Sequence, residues 1–404
     1  MRIVFVPGTF RPDRCGVSHY TARLIAELRA QGAECLVATT RAAARHHQQA
    51  DIVSATRGWK LAALVTLPAA IRRLNPDVVH IQHAAGSFDF RRPILCLPPA
   101  LRAAGWRGPI AVTLHEYGWW TWRPKLWDWA WQRLGPWGER RGLWDREDLA
   151  LITQAQAIIV THEAALQALA CRLPQMAPHV ERIPIGSNIP VLATDAPAAR
   201  AALRARYGWP SDTPVIAYFG FLHPVKGLET LLQAFHQVIE GRPAARLLLS
   251  GGTQSLALYG DRAEHYQRKL EGQIHDLGLA EAVRLTGYLP DEIISQHLAG
   301  ADIGVLPFNE GVSDKSGSLL AMWAHGLPVI ATRPPISSPQ LEWAAWLVPP
   351  RNAEALAASL LRLLDDPSTR QALADRARQV AGSLSWPAIA ERHLALYQRL
   401  VENQ

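Results

Sequence analysis

Short apolar runs alternate with longer stretches of mixed polarity along the whole chain. RIVFV, CLVATT, DVVHIQH, PIAVTLHEY and AIIVTH mark the first half; PVIAYFGFL, RLLLSGG, VRLTGYL, ADIGVLPF and PVIAT mark the second. Runs this short, nearly all apolar and bounded by turn residues, predict strands buried on both faces, as in a parallel sheet. Between them the apolar residues recur at helical spacing. Val17, Tyr20, Leu24 and Leu28 line one face of a helix that ends at Gly32. Residues 198–207, 228–240, 352–365, 368–381 and the closing SWPAIAERHLALYQRL predict further helices. Strand and helix in alternation predict an α/β chain with two doubly wound parallel sheets side by side. The halves meet at ERIPIGSNIPVLATDAP, where Pro184, Gly186, Pro190 and Pro197 break any regular element. This sets one domain at 1–195, a second at 196–383, and a closing helix at 384–404 that packs back toward the first. Nothing repeats at a short fixed period, which excludes a solenoid.

Candidate chemistry concentrates in 301–332, ADIGVLPFNEGVSDKSGSLLAMWAHGLPVIAT. It reads as strand, polar loop, helix and strand. Ser316 is placed to cap the helix, and Gly326 stops it. Ser-Gly-Ser behind Lys315 brings free backbone N–H groups, hydroxyls and a positive charge together, which suits a phosphate. An ordinary capped βαβ turn has the same pattern. Only five of the 42 basic residues are lysines, and two of them, Lys226 and Lys315, sit in glycine-containing loops after apolar strands. A point charge on phosphate is a role lysine fills; a solvated surface residue is the alternative. The first strand is also followed by a glycine loop, PGTFRPDRCG, but no GxGxxG is present, so the dehydrogenase dinucleotide fingerprint is absent.

Length and composition narrow the class. A chain of 404 residues exceeds one ordinary core, and 49% hydrophobic with 19% charged residues is a normal globular balance. No apolar run reaches membrane-spanning length, and the run in MRIVFVPGTF is too short for a signal peptide. The four cysteines are far apart and form no CxxC, which predicts a reducing, cytoplasmic setting without a disulfide framework or zinc site. The formal charge of +7 suits an anionic substrate or an anionic membrane surface. Spread over the chain, with no binding motif, it argues against nucleic acid.

His80, His83 and His115 each stand at the C-terminal end of an apolar strand, the edge where open α/β sheets bind ligands. A satisfied structural histidine is the commoner finding at any one such position. His115, followed by Glu116 and Tyr117, is the best placed of the three; HEYGW is not HExxH, so a zinc protease is unsupported. Residues 118–146 hold eight of the 15 tryptophans, from Trp119 to Trp144, interleaved with Arg and Lys. This composition fits a helical subdomain packed by tryptophan. It also fits an interfacial surface that touches membrane peripherally, or a platform for an acceptor.

The order and spacing of several motifs resemble the two-domain GT-B glycosyltransferases, and within them the retaining group called family 4. The motifs are CGVSHYTARLIAELRAQG at 15–32, DVVHIQH at 77–83, VTLHEY at 112–117, RIPIGSNIP at 182–190 and YFGFLHPVKGLETLLQAF at 218–235. LTGYLP at 285–290, ADIGVLPF with AMWAHGLPVIAT, and SWPAIAERHLALY complete the set. The resemblance spans nearly the whole chain. It implies two Rossmann-like domains facing across a cleft, the first binding the acceptor and the second a nucleotide diphosphate sugar. In that light Gly16 faces the donor phosphates, and Lys226 pairs with a diphosphate oxygen. Ser316, Gly317 and Ser318 open the phosphate-holding helix, and Gly287 and Tyr288 lie beside the base. His115 acts near the transferred sugar, with His83, Glu116 and Tyr117 on the acceptor side. The family has two glycines before the Val where this chain has Cys15 and Gly16, an Arg where it has Phe221, and a second Glu where it has Leu320. Glu310 stands in for the first Glu, in a loop two residues longer. Lys315 then replaces the missing cation, and Glu310 or Asp314 contacts the sugar.

The function implied is transfer of a hexose-type sugar from a nucleotide diphosphate sugar to a glycan, lipid-linked or small-molecule acceptor, with retention. The nucleotide sugar is the donor substrate, and neither cofactor nor metal is needed. The implied location is cytoplasmic, at most peripheral to the inner face of the membrane. Two alternatives fit the same fold: a nucleotide-sugar epimerase, and an inactive homologue that binds sugar nucleotide or a partner.

Overall fold

The computed structural model describes the chain except for residues 11–14, 48–49, 119, 122–127, 193–194, 255–257, 259 and 404. It divides into two units. One comprises Met1–Ile185 with Trp386–Gln404, the other Gly186–Ser385. The first division lies at 185, where the sequence pattern sets it at 195.

The N-terminal unit holds seven strands: β1 (Arg2–Pro7), β2 (Glu34–Thr40), β3 (Ile52–Thr56), β4 (Val78–His83), β5 (Ile110–Leu114), β6 (Ala157–Val160) and β7 (Val180–Arg182). All pair in parallel, in the order β3-β2-β1-β4-β5-β6-β7. Strands β4, β5 and β6 are buried throughout; β5 and β6 are almost wholly apolar, whereas β4 also buries His80, Gln82 and His83. The edge strands β3 and β7 are half-buried and carry no such run, so they are silent in the sequence pattern.

The closing helix Trp386–Glu402 belongs to this unit and lies on the first helix, Gly16–Ala30. Its polar groups reach under the sheet. The Tyr397 hydroxyl bonds His80 Nδ1 at 2.5 Å, and His80 Nε2 bonds the Thr113 hydroxyl at 2.7 Å. His393 Nδ1 meets the Ile389 carbonyl at 2.8 Å, and its Nε2 lies 3.3 Å from the Tyr20 hydroxyl. His80 and His393 are fully buried. His80, expected at the end of its strand, lies in the middle of β4, and of the three histidines it is the structural one.

The C-terminal unit repeats the plan with six parallel strands: β8 (Val215–Phe219), β9 (Arg246–Ser250), β10 (Val283–Gly287), β11 (Ile303–Leu306), β12 (Val329–Thr332) and β13 (Ala345–Val348). Their order is β10-β9-β8-β11-β12-β13, so strand order reverses between β8 and β11. Buried Arg204 pins the start of this sheet. Its guanidinium pairs with Asp302 at 2.7 Å and donates to the Thr213 and Gly300 carbonyls, while Asp302 accepts the Val215 N–H at 2.7 Å. A buried ion pair persists only when its hydrogen bonds are filled in this way.

Burial lowers the His393 pKa from its ordinary 6.5 to about 4, with neighbouring Arg392 acting in the same direction, and it also holds His80 well below 6.5. The folded state keeps these rings neutral while an unfolded chain protonates them. Their contribution is complete above pH 6.5 and is lost as pH falls toward about 4. The denaturation midpoint is expected to drop across that window. In His393→Gln the slope should be shallower, as urea titrations at several pH values will show.

Candidate functional site

In doubly wound sheets the ligand lies beyond the carboxyl ends of the strands, where strand order reverses. In the C-terminal unit that point is the gap between β8 and β11, and a cavity of about 520 Å³ sits there. Its lining includes Gly220 and Phe221 after β8, Gly251 and Gly252 after β9, Tyr288 after β10 and Phe308 after β11. Lys226, Lys315 and Ser316–Ser318 complete the polar side.

Backbone contacts tie these loops together. The Gly220 N–H donates to Ser250 at 3.0 Å, the Leu222 N–H to Gly252 at 2.9 Å, and the Gly251 N–H to Gly287 at 3.1 Å. The approach is close enough to demand glycine: a Cβ on Gly251 would lie 1.9 Å from the Gly220 carbonyl oxygen. Lys226 closes a short turn, Pro224–Lys226, that ends in Gly227 at φ +67°. A Cβ on Gly227 would lie 2.0 Å from the Pro307 carbonyl oxygen. Asn309 clamps the turn from the β11 side, its N–H on Val225 at 3.0 Å and its side-chain amide on Pro224 at 2.9 Å.

So held, Lys226 points its ammonium group over the Phe308 ring, 3.6 Å from the centroid. Burial lowers its pKa from 10.5 to about 8. A cation partly withdrawn from water is poised to accept an anion, because much of the cost of desolvation has been met in folding. The helix Gly317–Ala324 opens onto the same cavity. Ser316 stands at its N-cap, but its side chain makes no capping bond, contrary to the expected cap. The first N–H groups of the helix thus lack the partner a capping serine gives them. Behind them Leu319–Trp323 are all buried and fix the helix rigidly in the core.

Of the remaining expected donor residues, Tyr288 lines the cavity and is 78% exposed, and Gly287 sits at φ +67° beside it. Glu310 is displaced from the expected sugar contact: it faces outward and pairs with Arg351 at 2.6 Å. Arg351 takes a left-handed backbone (φ +57°), and its Nε also donates to Asn309 O. Neither Glu310 nor Asp314 is among the cavity-lining residues. Gly16 begins the first helix of the N-terminal unit, in open space. Among the described residues no three His, Cys, Asp or Glu side chains converge where they could hold a metal ion.

The N-terminal unit carries the expected acceptor-side residues. His115 donates from Nε2 to Gln82 Oε1 at 2.8 Å, and Tyr20 meets its ring edge-on at 4.8 Å. His83 lies 3.3 Å from Asp148, both buried; at that geometry the pair is a charge contact rather than an aligned hydrogen bond. Burial is the largest single influence and lowers the His83 pKa, but contact with Asp148 and the charges of Asp148, Glu116 and Glu147 together outweigh it, and the pKa rises. These two residues reach a cavity of about 280 Å³ walled by Phe88, Phe90, Leu95 and Trp120, with Arg91 and Arg92 also lining it. Asp89 and Phe90 on its rim both have positive φ, and Phe90 is 72% exposed. Tyr117 departs from its expected place. It is buried, and its hydroxyl donates to Asp145 at 2.9 Å. Glu116 is exposed. Glu147 receives the Gly118 N–H and pairs with Arg172 at 2.6 Å; burial raises its pKa to about 7 and that of Asp145 to about 6.

The comparisons with known proteins fall on the same two units. Residues 15–189 match the model of Glycosyltransferase Family 4, and residues 213–366 match that of Glycosyl transferases group 1. The chain belongs to this family of glycosyltransferases. It is 30% identical over 231 residues to a D-inositol 3-phosphate glycosyltransferase of Kineococcus radiotolerans, covering 53% of this chain and 51% of that one. It is 31% identical over 222 residues to a GDP-mannose-dependent monoacylated alpha-(1-6)-phosphatidylinositol monomannoside mannosyltransferase of Corynebacterium glutamicum, covering 53% and 55%. The chain thus spans about half the length of these curated relatives. Among solved structures it resembles a sucrose-phosphate synthase from Thermosynechococcus elongatus, with a TM-score of 0.70 at 22% identity over the full length of both. It also resembles the Anabaena protein HepE in complex with UDP and glucose, with a TM-score of 0.67 at 19% identity, covering 99% and 100%.

Within the family pattern, the departures have structural counterparts. Phe221, at the position of the usual Arg, is half exposed on the cavity wall, and Leu320, at the position of the usual Glu, is buried. Several lining residues escaped the sequence reading. Gly251 and Gly252 were visible only as the tail of RLLLSGG, where a double glycine after a strand is a signal of close backbone approach. Phe308, Asn188, Gln82 and Asp148 carry no local signal, since only the fold brings them to the sites. Gly227→Ala combines positive φ with a carbonyl clash. It is expected to cost about 2–4 kcal/mol, measured by chemical denaturation.

Proposed function

We propose that this chain transfers a hexose-type sugar from a nucleotide diphosphate sugar to an acceptor hydroxyl, with retention, and that the C-terminal unit holds the donor. The observation that carries this reading is the meeting of Lys226 with the open N-terminus of the helix Gly317–Ala324 in one cavity at the strand-order reversal. Breaking the bond between the anomeric carbon and the diphosphate leaves negative charge on the leaving group and positive charge on the sugar ring. Lys226 and the first N–H groups of the helix stabilise the former, each by on the order of 3 kcal/mol. The HepE structure holds UDP and glucose, and the corynebacterial relative is named for GDP-mannose; both are of the donor class proposed here.

The acceptor is assigned to the N-terminal unit and the 280 Å³ cavity. Its aromatic walls suit the apolar face of a ring, and buried Asp148 suits a hydroxyl donor. Arg91 and Arg92 suit an anionic substituent. The names of both curated relatives contain an inositol, a polyol of this kind.

Lys226→Ala is expected to lower donor turnover by at least about a hundredfold without changing the melting temperature. An active, folded variant would remove the reading. Because the Lys226 pKa is about 8, its charge is lost as pH rises. Affinity for a nucleoside diphosphate should therefore weaken above pH 8, and this pH dependence should vanish in the variant, as isothermal titration calorimetry will show. Asp148→Asn should raise the acceptor KM roughly tenfold and leave donor hydrolysis unchanged in kinetic assays.

A further inference from the structure

The helix Asp128–Arg140 is turned inside out relative to an ordinary surface helix. Its buried positions are Gly135, Gly138 and Glu139. The glycines let it settle onto neighbouring side chains: a Cβ on Gly138 would lie 2.0 Å from the Trp144 ring, and one on Gly135 would lie 2.8 Å from the Arg146 side chain. Glu139 is satisfied by Arg146 at 2.6 Å. The large apolar residues point the other way. Trp129 is 74% exposed, Leu134 51%, Leu143 48% and Trp137 37%.

Trp119, Trp122 and Trp127 lie outside the described residues, and the tryptophans on this helix and the loop after it split into two groups. Trp131 stacks on Trp144, with ring centroids 6.0 Å apart, and Trp137 meets the same Trp144 ring at 6.1 Å with its outer side exposed. Trp129 and Trp137 are presented. They alternate with Arg133 and Arg141 one turn apart along one face, and the Arg141 guanidinium sits over the Trp137 ring at 4.4 Å. Charge segregates in the same sense. Glu139 and Asp145 are buried, whereas Arg133, Arg140 and Arg141 are exposed.

We infer that this face docks on an anionic lipid bilayer, lying in the headgroup plane. Rings, leucines and cations within one turn of each other match a partner that offers phosphates at one depth and hydrocarbon just below. A nucleic acid would be met by rings along a basic groove, without leucines at the contact. Among the described residues no helix is long and apolar enough to span a membrane, so the contact is peripheral.

The test is co-sedimentation of the full chain with phosphatidylcholine vesicles, with and without phosphatidylglycerol. It reads lipid binding alone and is independent of sugar transfer. Binding to the anionic vesicles, weakened by salt, is expected. The double variant Trp129→Ser/Trp137→Ser should partition at least about tenfold more weakly at an unchanged melting temperature. Arg133→Gln/Arg141→Gln should abolish the preference for anionic lipid. Protein left in the supernatant with both vesicle types would overturn the inference, as would variants that bind like the parent chain. Retention on single-stranded RNA, lost with the tryptophans, in place of vesicle binding would overturn it in favour of a nucleic-acid face.

Discussion

The approach of glycine backbone to carbonyl oxygen is the constraint on which the cavity of the C-terminal unit depends. Gly251 sits where a methyl group would overlap the Gly220 carbonyl, and Gly227 where one would overlap that of Pro307. These contacts hold the loops after β8, β9 and β11 in one piece. They also give a flexible four-carbon lysine a fixed root. Without that root, ordering Lys226 would consume much of what its charge contributes to binding a phosphate. The cost appears in conformational freedom, since both glycines adopt backbone angles that other residues avoid.

Much of this was legible in the sequence, and the limits have physical causes. Buried parallel strands announce themselves as apolar runs, so the alternation and most of both sheets could be read directly, although β13 was missed. The half-buried edge strands β3 and β7 could not, because one exposed face removes the signal. Lys226, Lys315 and Ser316–Ser318 were legible as local patterns of glycine, charge and hydroxyl, and they do meet in one cavity. Glu310 misled because sequence places it in the right loop and says nothing of direction; Arg351, 41 residues on, holds it outward. Tyr117 misled in the opposite sense. It lies beside His115 in sequence, yet Asp145 draws its hydroxyl into the core.

The closing helix links stability to the site in the N-terminal unit. Tyr397 holds His80, Gln82 lies 3.2 Å from His80, and Gln82 in turn accepts from His115. Tyr20, packed between Trp386 and His115, adds a second connection. The orientation of His115 is thus set by residues that end the chain, through rings kept neutral by burial. A histidine aligned by packed neighbours loses less entropy in acting than one aligned by solvent-exposed bonds.

The two family departures in the C-terminal unit act in the same direction. Replacing an Arg by Phe221 removes a cation from the cavity wall, and placing Leu320 where a Glu is usual removes an anion from the helix that follows. Phe221 lies on the cavity wall, where it makes that wall less polar, while Leu320 is buried behind the lining residues. In the function proposed above, the diphosphate is left to Lys226, Lys315 and the helix N-terminus, and a partly apolar wall would strengthen each of those interactions by lowering the local dielectric. A site with fewer charged groups depends more heavily on any one of them. In the proposed function Lys226, rooted between two glycine-dependent loops, takes the largest share.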